Sequence, residues 1–199
     1  MTGMLTRLLL LFLLLAATSA SAEICEDYPP VGMKAVYTYT GSYDNHAWGY
    51  KVVIPRGLVG GLYQDPDAPQ HGIQVILSWR PRSTVSFFGQ ADSSEDDNGN
   101  PLTAQGYALQ NISYYKQDVR LLSSKVRKAK LGRHAAWAWL VKYRCPKSKA
   151  VRVAEGMVAI PPKPGLVYEI DLDTTAARHK ADHKVLEKIA RSFRLIEWR

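Results

Sequence analysis

The residues with the richest potential for chemistry stand near the C-terminus, in "EIDLDTTAARHKADHKVLEKIARSFRL" (169–195). His179 and His183 are four apart, Asp182 lies between them, and Asp171 and Asp173 precede them. On one continuous helix two histidines at i and i+4 share a side, the spacing of the zinc-binding H-x-x-x-H. A hydrolytic zinc motif also places Glu after the first His, where this chain has Lys180, a cation that repels a metal ion and cannot act as the base. At 100° per residue Asp182 falls within the apolar stripe of Val185, Ile189 and Phe193, and a lone carboxylate in a helix core is costly. That conflict vanishes with Asp182 as the N-cap of the final helix, which is the expected arrangement. His179 then leaves the helical face of His183, so no metal site and no cofactor is expected, with His179 and His183 the only metal candidates. Glu169, Asp171 and Asp173 share parity opposite Tyr168, Ile170 and Leu172 and read as a solvent-facing strand edge rather than a catalytic pair.

Other chemistries find less support. "DSSEDDNGN" fails the EF-hand spacing, because Pro101 and Tyr107 stand where Gly and Glu are required. There is no G-x-S-x-G, and "GLVGG" (57–61) lacks the Lys-Ser/Thr of a phosphate loop. Asn111-Ile-Ser113 is an N-glycosylation sequon, relevant only in a eukaryotic source. The strongest binding feature is a basic cluster, Arg120, Lys125, Arg127, Lys128, Lys130 and Arg133, with no acid among them. Such a row on an edge strand suits an acidic protein or an anionic envelope component. The alternative is that edge lysines simply discourage strand-to-strand aggregation.

These residues need a scaffold and a compartment. Arg7, the apolar run Leu8–Ala17 and the small-residue end Ala20-Ser21-Ala22 form the three-part pattern of a signal peptide. Cleavage is expected between Ala22 and Glu23, leaving residues 23–199 as one domain in the periplasm or outside the cell. A ten-residue run is too short to span a bilayer, so the chain is not expected to be membrane-spanning, and export argues against nucleic acid as partner. The net charge of +8 fits an anionic partner and equally serves solubility. The two cysteines, Cys25 and Cys145, read as a disulfide in an exported protein.

Period-two alternation marks strands at 34–41, 46–55, 73–79, 83–89, either side of a Leu-Gly-Arg turn within 119–145, and at 150–160 and 165–173. Residues 56–72 and 90–100 read as loops. Asn100-Pro101 predicts the start of a helix over 101–116. Trp137, Trp139 and Tyr143 share a face with Ala135 and Val141 and are expected in the core. Val185, Leu186, Ile189 and Phe193 give the last helix its apolar side, and "RLIEWR" ends the chain as a short strand. Short connections favour antiparallel pairing, and the class is α+β, an antiparallel sheet covered by helices.

The words "GYKVVIP", "KLGRHAAWAWLVKY" and "VYEIDLDTTAARHKADHKVLEKIARSFRL", in that order and closing on Ser192-Phe193, resemble the PsbP-like superfamily. That group includes the extrinsic P subunit of photosystem II, Ran-binding import factors and exported bacterial proteins of unknown role. The resemblance implies an α/β/α sandwich that binds partners rather than catalyses. The photosystem- and Ran-binding surfaces have no residue-by-residue counterpart here. The expected function is thus that of an exported, non-catalytic binding domain contacting an anionic partner through Lys125, Arg127, Lys128, Lys130 and Arg133. The alternatives are a metal-assisted hydrolase using His179 and His183, and an inhibitor-like structural protein.

Overall fold

The computed structural model describes residues 25, 32–62, 71–91, 95, 99–162 and 165–197. The signal segment and the cleavage point at Ala22 lie outside them, as does the 63–70 stretch of the first loop. No helix among the described residues is long and apolar enough to cross a membrane.

Alternating apolar residues build one large antiparallel sheet. Its strands are β1 (Tyr37–Tyr39), β4 (Gly60–Leu62), β5 (Gly72–Trp79), β6 (Arg82–Gln90), β7 (Arg120–Leu131), β8 (His134–Arg144), β9 (Val151–Ala159) and β10 (Val167–Thr175). Their order is β1-β4-β5-β6-β10-β9-β8-β7. A second sheet joins β2 (Ser42–Asn45), β3 (Tyr50–Val53) and β11 (Arg194–Leu195), with β3 in the middle. The strands read at 46–55, 73–79, 83–89 and either side of the Leu-Gly-Arg turn are all present. β2 lies between the expected strands 34–41 and 46–55, and β4 lies inside the expected loop 56–72. β4 is a three-residue strand carrying two glycines, too short and too Gly-rich for a period to show.

Two helices lie on opposite faces of the sheet, as strand parity shows. Trp139, Val141 and Tyr143 of β8 pack with Tyr107, Ala108 and Ile112 of helix α1 (Ala104–Asp118). Their neighbours Ala136 and Ala138 instead join Tyr168, Ile170 and Leu172 of β10 against Leu186, Ile189 and Ala190 of helix α2 (His179–Ser192) and Phe193 beyond it. Each face thus has its own core. α1 begins later than the Asn100-Pro101 signal suggests: Thr103 is the N-cap and its side chain accepts the Gly106 N–H. Phe193 stacks on Phe87 at 5.4 Å and Tyr168 packs against it at 5.1 Å, so the second core is anchored where α2 ends.

Two ties fix the periphery. Cys25 is bonded to Cys145 across 120 residues, with a Cα–Cα distance of 5.8 Å, as the sequence predicts. The turn between β7 and β8 is held to α2 by a hydrogen bond from Gly132 N–H to the Ala190 carbonyl at 2.8 Å. Gly132 has φ +56°, the left-handed region that glycine enters without a Cβ clash.

Candidate functional site

α2 does not start at Asp182. The helix includes His179, with Arg178 before it as an N-cap that makes no side-chain cap bond. Asp182 sits in the first turn and is only 3% exposed. The cost of burying it is met by partners from three elements. Ser83 Oγ donates to Oδ2 at 2.8 Å, Thr174 Oγ1 donates to it at 2.7 Å, and Arg178 donates to both oxygens at 3.2 Å. The capping reading is therefore corrected. At 100° per residue Asp182 faces the core, and the structure keeps it there by supplying the nearby Thr174 hydroxyl and Arg178 guanidinium and the distant Ser83 hydroxyl.

The corrected helix restores what the capping reading had separated. His179 and His183 lie on one side of α2, their rings 5.8 Å apart, and both point at β9. Glu155 Oε1 is 3.0 Å from His179 Nε2 and 2.6 Å from His183 Nδ1. The Glu155 side chain is 8% exposed, against 29% and 28% for the two imidazoles. The other nitrogen of His183, Nε2, lies 3.5 Å from Glu187 Oε1, and Arg191 donates to Glu187 Oε2 at 2.9 Å. Glu155 was missed in the sequence, although it is the lone acid in the apolar strand "AVRVAEGMVAI". An acid at a core-facing position needs a partner, and that partner is the imidazole pair.

A small cleft of about 170 Å³ opens beside this cluster, lined by Glu155, Met157, Leu140 and Leu186, with Lys125 and Arg127 from β7. The register explains the convergence: Glu155 pairs with Leu140 on β8, which pairs with Lys125 on β7. The basic strand and Glu155, the partner of the histidine pair, therefore line one cleft. Lys128 and Lys130 pair with Trp137 and Ala135 and so point to the opposite face. Arg133 is exposed at the turn. β7 forms one margin of the large sheet, and its lysines and arginines make no ion pair among the described residues.

The acids of β10 are not a solvent-facing edge. β10 is a central strand between β6 and β9, and Glu169 is 5% exposed. It accepts hydrogen bonds from Asn111 Nδ2 of α1 and, at 3.1 Å, from Trp139 Nε1. The sequon asparagine is thus engaged inside the molecule. Gly156 makes the tryptophan bond possible, since a Cβ there would lie 2.8 Å from Trp139 Nε1. Burial first, and then the neighbouring Asp171, push the Glu169 carboxyl up to about 8. Burial and Asp173 push Asp171 up to about 7. Burial also raises Asp173, opposed by its ion pair with Arg152 Nε at 3.0 Å, and Tyr143 OH donates to it at 3.1 Å. The column is a polar network on the α1 face, opposite the cleft, buried at Glu169 and partly exposed at Asp171 and Asp173.

Trp139 and Tyr143 are core, as expected, whereas Trp137 is half-buried and Ala135 exposed. Arg120, Lys125, Arg127, Lys128 and Lys130 lie on β7, an edge strand of the large sheet.

No protein-family model matches the chain, and no curated protein does. Solved structures do. The Ran-binding protein Mog1p of Saccharomyces cerevisiae superposes with a TM-score of 0.51 at 10% identity, over 81% of this chain and 97% of that one. Cyanobacterial PsbP (CyanoP) from Synechocystis sp. gives a TM-score of 0.49 at 16% identity, over 82% of this chain and 95% of that one. At such identities the likeness is one of fold, and the helix-covered antiparallel sheet implied by the PsbP-like resemblance is the fold this chain adopts.

Proposed function

We propose that the protein is an exported, non-catalytic binding domain that captures an acidic, extended segment of a partner protein along β7. The observation that carries this reading is the character of that strand. It is twelve residues long, lies at the sheet margin, and exposes Lys125, Arg127, Lys128 and Lys130 without an internal acid to pair them. Its cations alternate between the two faces, so a ligand lying on either face would meet only half of them. A strand added in the plane of the sheet would meet both sets while using the free backbone N–H and C=O groups of the margin. Export is supported by the leader pattern and by the disulfide.

The test is binding of a fluorescent poly-glutamate peptide, with anionic phospholipid vesicles in parallel. Replacing Lys125, Arg127 and Lys128 together by Glu should weaken peptide binding at least tenfold, and raising salt should weaken it in the native chain. Equal peptide binding by the variant would end the reading. Binding of vesicles but not peptide would transfer the surface to an anionic envelope component.

A further inference from the structure

We infer that Glu155, His179 and His183 form a binding site for one divalent transition-metal ion, zinc by donor chemistry. The inference is independent of the basic strand's role, since it rests on other side chains. It starts from geometry: one oxygen and two ring nitrogens, all within 4.8 Å of one another, converge from β9 and the first turns of α2. Two imidazoles and one carboxylate are a frequent three-residue donor set for zinc. Ligand bonds of about 2.0–2.1 Å in a tetrahedral site place donor atoms about 3.3 Å apart. The two nitrogens stand 3.0 and 2.6 Å from Glu155 Oε1, so side-chain rotations that open these gaps by about 0.3 and about 0.7 Å bring both to that spacing.

A second observation points the same way. His183 turns Nδ1 to the centre and Nε2 toward Glu187. A carboxylate on the far nitrogen is the usual companion of a metal-bound histidine, because it fixes the tautomer and strengthens the donor. Arg191 in turn holds Glu187 at 2.9 Å. Glu155 and Glu187 together offset the ion's charge against Lys125 and Arg127, which line the same cleft. The imidazoles are more than a quarter exposed, so an ion reaches them from solvent. Lys180, one residue past His179, stays exposed and does not compete with the ion for the donors.

The experiment uses the purified, chelator-stripped protein, titrated with Zn²⁺ in a calorimeter and with Co²⁺ in a visible spectrophotometer. One ion per chain is expected, with the visible Co²⁺ bands of a low-coordinate nitrogen–oxygen site. Glu155→Gln, which preserves shape, and His183→Ala should each weaken binding at least tenfold. Glu187→Gln should weaken it about tenfold while leaving the three donors in place. His46→Ala, at an exposed histidine elsewhere, should change nothing. Circular dichroism of each variant separates loss of donors from loss of fold. Absence of stoichiometric binding, or binding that survives Glu155→Gln and His183→Ala alike, would overturn the site and leave Glu155 as an ordinary hydrogen-bond partner of two histidines.

Discussion

Asp182 and Glu169 show how differently two buried carboxylates can be settled. Asp182 keeps two hydroxyl donors and a guanidinium. Asp182→Ala leaves Ser83, Thr174 and Arg178 without their acceptor, and a loss of about 2 kcal/mol or more is expected in urea denaturation. Glu169 has only neutral donors and an acidic neighbour, and its carboxyl is pushed up to about 8. The folded chain therefore holds a proton that the unfolded chain releases near about pH 4.3. The stability from that proton is complete below that pH and is lost as the pH rises through about 8. Asp171 acts in the same sense up to about 7. The melting temperature should fall across this window, and Glu169→Gln, which keeps an acceptor for Asn111 and Trp139, should flatten the profile. An unchanged slope in the variant would refute the assignment.

At the scale of elements, legibility followed local pattern. β8 could be read because tryptophans, valine and tyrosine recur at every second position, and α2 because its leucine and isoleucine recur at helical spacing. What could not be read were relations between segments. The burial of Asp182 depends on Ser83, ninety-nine residues away. Glu155 meets His183 only because β9 lies beside β10, where α2 crosses back over the sheet. The β10 acids look exposed in a one-sided strand, and it is α1, through Asn111, that covers Glu169 on the other face. The turn "LGR" was legible, and its glycine carries a testable requirement. A Cβ at Gly132 would run into the Phe193 carbonyl oxygen, on a backbone already at φ +56°. Gly132→Ala should cost about 2 kcal/mol or more, read as a shifted denaturation midpoint.

For the molecule as a whole, the disulfide closes a loop of 120 residues that contains α1 and most of the large sheet. Chain-entropy arithmetic assigns such a closure about 5 kcal/mol, so Cys25→Ser with Cys145→Ser should lower the urea midpoint by a comparable energy. Both cysteines belong to the core on the α1 side, which places that staple on the layer away from the cleft.

The opposite layer has a joint of its own. The tip of the basic hairpin is bonded to the far end of the helix that begins with His179. A peptide that pried the hairpin outward would pull on that helix, and an ion that stiffened the helix would stiffen the hairpin. Metal loading and peptide capture should each alter the other's affinity by the same factor.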